Sequence, residues 1–162
     1  RLERSPVAGW YKPSQVQEVR FAARWRWMLL SLSLLLAAGA VVQQWREHQR
    51  LQRGQLIYQQ GGPGASLAGD DSSLPALATR CVNCHDASSG AQSAFAPALN
   101  AAALTQLHAR RGGPPSRYDQ SSLCKLLREG VDPAWVQIPR AMPRYSISNE
   151  DCAALWSYLV SR

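Results

Sequence analysis

The longest apolar stretch of the chain has no alternation of polar and apolar positions. Residues 27–45 carry no charge, Arg26 and Arg46 close the gap, and the central run 29–42 is rich in Leu and Ala. Nineteen residues at helical rise cover roughly 28 Å, close to the hydrocarbon thickness of a bilayer. Trp25, Trp27 and Trp45 fall where interfacial aromatic belts are expected. The pattern predicts a transmembrane helix over 25–46. A cleaved signal peptide with Ala38-Gly39-Ala40 as its small-residue cleavage site is the alternative. Ahead of the span, Ser14-Gln15-Val16-Gln17 follows Pro13 with the form of a capping box, so a helix is expected to start near Ser14 and run unbroken into the membrane. Residues 1–24 are expected to form a cytoplasmic, basic, membrane-surface segment, with a tail that contacts a partner subunit.

After the span the pattern changes. Gly61-Gly62-Pro63-Gly64 and Gly69-Asp70-Asp71-Ser72-Ser73 stop helices, so 47–73 reads as the end of the juxtamembrane helix followed by a linker from Gly54, with a domain over 74–162. Helical spacing then returns. Leu74, Leu77, Ala78 and Cys81 fall at i, i+3, i+4 and i+7, and Leu123, Leu126 and Leu127 lead to Gly130, a C-terminal stop. Residues 98–109 suggest another helix. Ser148 is a plausible N-cap, with Glu150 and Asp151 in the first turn and Cys152, Leu155, Trp156 and Leu159 on one face. No alternating strand pattern appears, so the fold class is all-α, with irregular loops at 110–118 and 131–147.

Composition narrows the class. Of 162 residues 46% are hydrophobic and 18% charged, with a mean hydropathy of -0.27, which excludes a wholly membrane-embedded chain and wholesale disorder. The formal charge of +7 raises the question of nucleic acid, but nine Lys and Arg stand against three acids before Gly54 and nine against eight after it. The base excess belongs to the first third, so the expected partners are the lipid bilayer and membrane-complex subunits, with no nucleic acid. Six basic residues precede the span and three follow closely, which orients the N-terminus to the cytoplasm. The sequence opens on Arg1 rather than Met, so native sequence is expected to precede it. About a hundred residues with long loops make a thin core, which a bound prosthetic group would support.

Cys81-Val82-Asn83-Cys84-His85 is the C-x-x-C-H pattern of c-type haem attachment. On one helical turn two sulfurs reach the two porphyrin vinyl groups, and the next imidazole is placed beneath the iron. A zinc site would need further nearby ligands, and a thioredoxin-like pair would need a βαβ context. The sixth iron position separates a carrier from a catalyst. Met28 lies in the span, whereas Met142 sits in Arg140-Ala141-Met142-Pro143-Arg144-Tyr145, a helix-free stretch 57 residues beyond His85. A thioether there is better suited to ligation than to filling core space. His48 lies beside the membrane, and His108, beside Arg110 and Arg111, reads as a surface residue and second choice of ligand.

These motifs resemble the monohaem class I cytochromes c, and the resemblance runs from near Gly54 to Leu159. It rests on Cys81 to His85, on Leu127-Arg128-Glu129-Gly130-Val131-Asp132-Pro133, on Met142-Pro143-Arg144-Tyr145 and on Ala154-Leu155-Trp156-Ser157-Tyr158-Leu159, with 54–61 (GQLIYQQG) opening the domain as in a bacterial subgroup. It implies one covalent haem c on Cys81 and Cys84, axial ligation by His85 and Met142, and attachment on the periplasmic side of a bacterial inner membrane. It also implies that the first and last helices cross, packing the helix before Cys81 against Leu155 and Leu159. The anchor and the other two cysteines depart from the simplest members. In an oxidising compartment Cys124 and Cys152 would form a disulfide between the third helix and the last; two separate buried thiols are the alternative.

The expected function is a membrane-tethered electron carrier, a subunit of a respiratory complex and not itself an enzyme. Trp135, Arg140, Arg144 and Tyr145 are the expected contacts to haem propionates or the haem edge, with ordinary exposed roles as the alternative. A haem peroxidase or gas sensor in which Met142 dissociates, and an assembly subunit acting through its N-terminal helix, are the competing functions. Donor, acceptor and complex are not written in the sequence.

Overall fold

The computed structural model describes residues 14–62, 64–70, 72–85 and 96–162, with side chains described from Trp25 onward. The expected partner-contacting tail and the capping-box side chains lie outside that set. The chain divides into two compact units, Arg1–Trp45 and Arg46–Arg162.

In the first unit the described residues are helical from Ser14, within helix α1 (Ser14–Gln60). Its apolar side chains between Trp25 and Trp45 are uncovered, Trp27 and Leu34 among them. Ser31 and Ser33 return their hydroxyls to the carbonyls of Met28 and Leu30 at 2.9 Å, which satisfies both hydroxyl donors within the helix. Trp25–Gln60 is long and apolar enough to cross a membrane, a test that a signal sequence also passes.

The second unit is an all-α domain built on the end of α1 and on α2 (Val82–His85), α3 (Ala101–Thr105), α4 (Gln120–Glu129) and α5 (Asn149–Val160). A single 3-10 turn covers Ala76–Thr79. Two short antiparallel ladders tie the loops: β1 (Ala65–Ser66) with β4 (Arg144–Tyr145), and β2 (His108–Ala109) with β3 (Pro115–Ser116). Two-residue strands are too short to leave an alternating pattern in a sequence.

The caps explain α4 and α5. Asp119 accepts from the Ser122 amide at 2.7 Å while the Ser122 hydroxyl accepts from the Asp119 amide at 2.9 Å, and Gly130 ends α4 at φ 74. Ser148 caps α5 by accepting from the Asp151 amide at 3.0 Å. Leu123, Leu126 and Leu127 of α4 meet Cys152, Leu155 and Leu159 of α5 in the buried core, with Trp156 only partly covered. Cys124 and Cys152 are joined as a disulfide with their Cα atoms 5.8 Å apart.

Three expectations change. The stretch from Gly54, read as a helix-stopping linker, is helical as far as Gln60, and irregular chain begins only at Gly61. The helix expected through Leu74, Leu77 and Ala78 reduces to the 3-10 turn, and Leu77 is 67% exposed. Pro75 stands at its N-cap and provides no capping side chain. The helix expected over 98–109 is limited to α3, which Asn100 caps by accepting from the Ala103 amide at 2.8 Å; His108 already belongs to a strand.

The crossing partner of α5 is therefore the end of α1, not a helix just before Cys81. A Cβ at Gly54 would overlap the Ala154 carbonyl and the Tyr158 side chain. Glycine costs about 1 kcal/mol inside a helix relative to alanine, and close backbone approach is what it permits here. Below the crossing, the Tyr58 and Tyr158 rings lie 5.7 Å apart at 52°. Above it, Arg53 pairs with Asp151. That hydrogen bond is the main cause holding the Asp151 carboxyl below its ordinary pKa. The pair therefore stabilises the fold above the ordinary carboxylate range, and its contribution is lost as pH falls through the lowered folded pKa. Gly54→Leu is expected to destabilise the domain by about 2 kcal/mol through overpacking. Thermal melting of the haem-loaded protein checks this, with Tm falling by about 10 °C.

Candidate haem site

The α2 turn sets the first wall of the site. The amides of Cys84 and His85 both donate to the Cys81 carbonyl, at 3.2 and 2.9 Å, which brings residues 81, 84 and 85 onto one turn. Cys81 is partly buried and Cys84 exposed, and neither thiol is in a disulfide. Burial pushes the Cys81 thiol up to about 11, so it stays protonated near neutral pH. His85 Nδ1 lies 2.7 Å from the Pro97 carbonyl. A carbonyl can only accept, so Nδ1 carries the proton and Nε2 keeps its lone pair for a metal. Burial, more than the nearby Arg111 charge, lowers the His85 pKa, which also favours the neutral imidazole.

These three residues line one cavity of about 450 Å³. Leu123, Leu126 and Leu127 of α4, Leu155 and Leu159 of α5, and Ile138 supply apolar wall, and Met142 lines the same space. The Met142 loop is held by backbone and guanidinium contacts. Met142 N–H donates to the Pro139 carbonyl at 3.1 Å, and Ile138 N–H to the Gly130 carbonyl at 2.9 Å. Arg144 donates to the carbonyls of Met142 at 2.8 Å and Ile138 at 3.4 Å. Its guanidinium covers Gly130, where any Cβ would collide with it. Gly130 therefore serves twice, as a left-handed helix end and as the floor for this clamp.

Among the residues expected to contact haem, Tyr145 lines the cavity, and its hydroxyl donates to the Thr79 carbonyl at 2.9 Å. That bond ties the Met142 loop to the segment entering Cys81, and burial raises the Tyr145 pKa strongly. The others are placed elsewhere. Trp135 is 77% exposed with φ 62 and lies under the Lys125 ammonium, 3.7 Å from its ring centre. Arg140 is exposed and, like Trp135 and Arg144, is absent from the described lining. Arg144 is committed to its carbonyls.

The cationic lining comes from Arg80, Arg110 and Arg111 instead. Arg110 is consumed by the Ser116 carbonyl, by the Ala103 carbonyl at 2.7 Å and by the Tyr118 ring at 5.0 Å. Arg80 Nε is buried without a hydrogen-bond partner, unlike every other buried side-chain nitrogen and oxygen among the described residues. Adjacency to Cys81 was the available signal for Arg80; only the packing of 110–118 distinguishes Arg111 from Arg110. His108 lines the cavity too, but is exposed in β2, whereas Met142 packs against the apolar core.

Two unjoined thiols, an imidazole whose Nε2 keeps its lone pair, an apolar slot, a methionine lining the same space and an orphaned buried guanidinium nitrogen together fit a haem c. Among the described residues no group of three His, Cys, Asp or Glu is arranged to hold a bare metal ion. Fold and site define a class I cytochrome c domain. The family model for cytochrome c matches residues 74–162, and the chain belongs to that family, whose role is haem-based electron transfer. No curated protein and no solved structure matches the chain.

Proposed function

We propose that the chain is a membrane-tethered c-type cytochrome that transfers single electrons and serves as a subunit of a respiratory complex in a bacterial inner membrane, with its haem domain in the periplasm. The observation that carries this reading is the single cavity shared by Cys81, Cys84, His85 and Met142, behind an apolar helix of spanning length. The haem supplies one-electron cycling between ferric and ferrous iron when bound. Cys81 and Cys84 would hold it through thioethers, and His85 Nε2 and the Met142 sulfur would ligate its iron, leaving no open site for a substrate. Leu123, Leu126, Leu127, Leu155 and Leu159 line the cavity and would exclude water from the haem, which with a thioether ligand would favour the ferrous state. The anchor keeps the domain near its partner and raises the effective concentration, so docking can be weak and rapidly reversed.

The test is chemical first. Acidified acetone should leave one haem on the polypeptide, and peptide mass spectrometry should place it on Cys81 and Cys84; complete extraction would remove the foundation of the reading. Purification of the full chain from membranes in mild detergent should then bring other redox subunits with it. A chain that carries haem but is released from membranes by alkaline washing, alone, would refute the tethered-subunit role.

A further inference from the structure

Asp132 is the one fully buried carboxylate among the described residues, 3% exposed overall with its side chain at 0%. Oδ1 accepts from the amides of Ala134 at 2.9 Å and Val136 at 2.8 Å, which folds the 131–137 loop around it. An asparagine would provide that same acceptor without a charge. The charge needs its own explanation, because burying a carboxylate is costly unless it is paired.

Oδ2 faces Arg111 Nη1 at 3.5 Å. Arg111 lines the cavity and has its backbone at φ 48, in the left-handed region that non-glycine residues rarely adopt. Gly113 lets the two segments meet, since a Cβ there would press on Val136 at 2.9 Å and Ala134 at 3.1 Å. Unlike Arg110, Arg111 donates to no backbone carbonyl among the described residues, which leaves most of its five donors for a ligand.

We propose that Arg111 and Asp132 form a charge pair in the wall of the haem pocket that sets the haem's reduction potential. Arg111 is the cation that receives a haem carboxylate, and Asp132 is a positioning residue that fixes Arg111 and partly offsets its charge. This rests on the haem reading above. Ferric iron carries one more positive charge than ferrous, so removing a nearby anion favours the ferrous form and removing a nearby cation disfavours it.

The experiment is redox titration of the full-length, haem-loaded protein in mild detergent. Asp132→Asn keeps the loop-capping acceptor and is expected to raise the potential. Arg111→Gln is expected to lower it. Each shift should correspond to about a tenfold change in the ferrous to ferric ratio at fixed poise, or about 59 mV for one electron. Glu150→Gln, exposed on α5, is the control and should move little. Arg111→Lys keeps the charge without the planar fork and should fall between wild type and Arg111→Gln; it replaces the Gln variant if that one does not fold. Haem-loaded Asp132→Asn with a potential no further from wild type than the control overturns the pair and leaves the haem reading intact. A wild-type chain without covalent haem overturns both.

Discussion

Met142→Ala is expected to open the iron: the ferrous variant should bind carbon monoxide, which the parent excludes, and its reduction potential should fall. As a ligand the sulfur would be weak and neutral and would favour ferrous over ferric iron, so its loss would remove both the blockade and that preference. Met142→His should keep six-coordination and also lower the potential. The fold is expected to survive, because Met142 is only partly buried and the clamp of Arg144 on Gly130 and the Ile138 carbonyl persists without its side chain. Carbon monoxide titration and redox titration of the same samples check the prediction. Unchanged potential and unchanged carbon monoxide exclusion would pass the ligand role to His108, which lines the same cavity.

Breaking the Cys124 to Cys152 disulfide is expected to cost about 3.5 kcal/mol. It closes a loop of 28 residues, and the chain-entropy estimate for such a loop gives about that stabilisation. The bond joins the two helices that supply five leucines of the cavity wall, and Cys152 is at 0% exposure, so no solvent relieves the defect left by Cys152→Ser. Denaturant unfolding of the haem-loaded variant should show a lower midpoint and a somewhat steeper slope, because the denatured chain without the cross-link is less compact and exposes more surface. Mass spectrometry of unreduced peptides should recover Cys124 linked to Cys152 in the parent. Alkylation of both cysteines without prior reduction would contradict the bond, and a midpoint equal to the parent's would contradict its stabilising role.

The physics that acts along short stretches of chain was legible in the sequence. The haem-attachment turn needs only Cys81, Cys84 and His85 at fixed spacing. Helices α4 and α5 were marked by their apolar period and by Gly130 and Ser148, because capping groups and left-handed ends act within one turn. The uncharged run at 27–45 was equally plain, since its length and lack of charge are read directly from consecutive residues. Even so, the period at Leu74, Leu77 and Ala78 misled, because Pro75 and the approach to Cys81 permit only one 3-10 turn there.

What the tertiary structure decided involves residues far apart in the chain. Gly54 read as a helix breaker because its propensity is poor, and only the proximity of Ala154 and Tyr158 shows that the missing Cβ lets α1 cross α5. Arg144 and Trp135 looked like haem contacts by residue type, yet one guanidinium is held by the carbonyls of Met142 and Ile138 and the indole stands in solvent. Nothing local told Arg111 from Arg110, and neither the burial of Asp132 nor the orphaned nitrogen of Arg80 was written in its neighbours along the chain, because a buried charge is defined by what surrounds it. The sequence by itself determined the haem-binding turn, the two capped helices and the apolar segment, through forces that span a few residues. Which cations face the cavity, which helix crosses α5 and which carboxylate is buried were decided by packing, where desolvation and close approach depend on the whole fold.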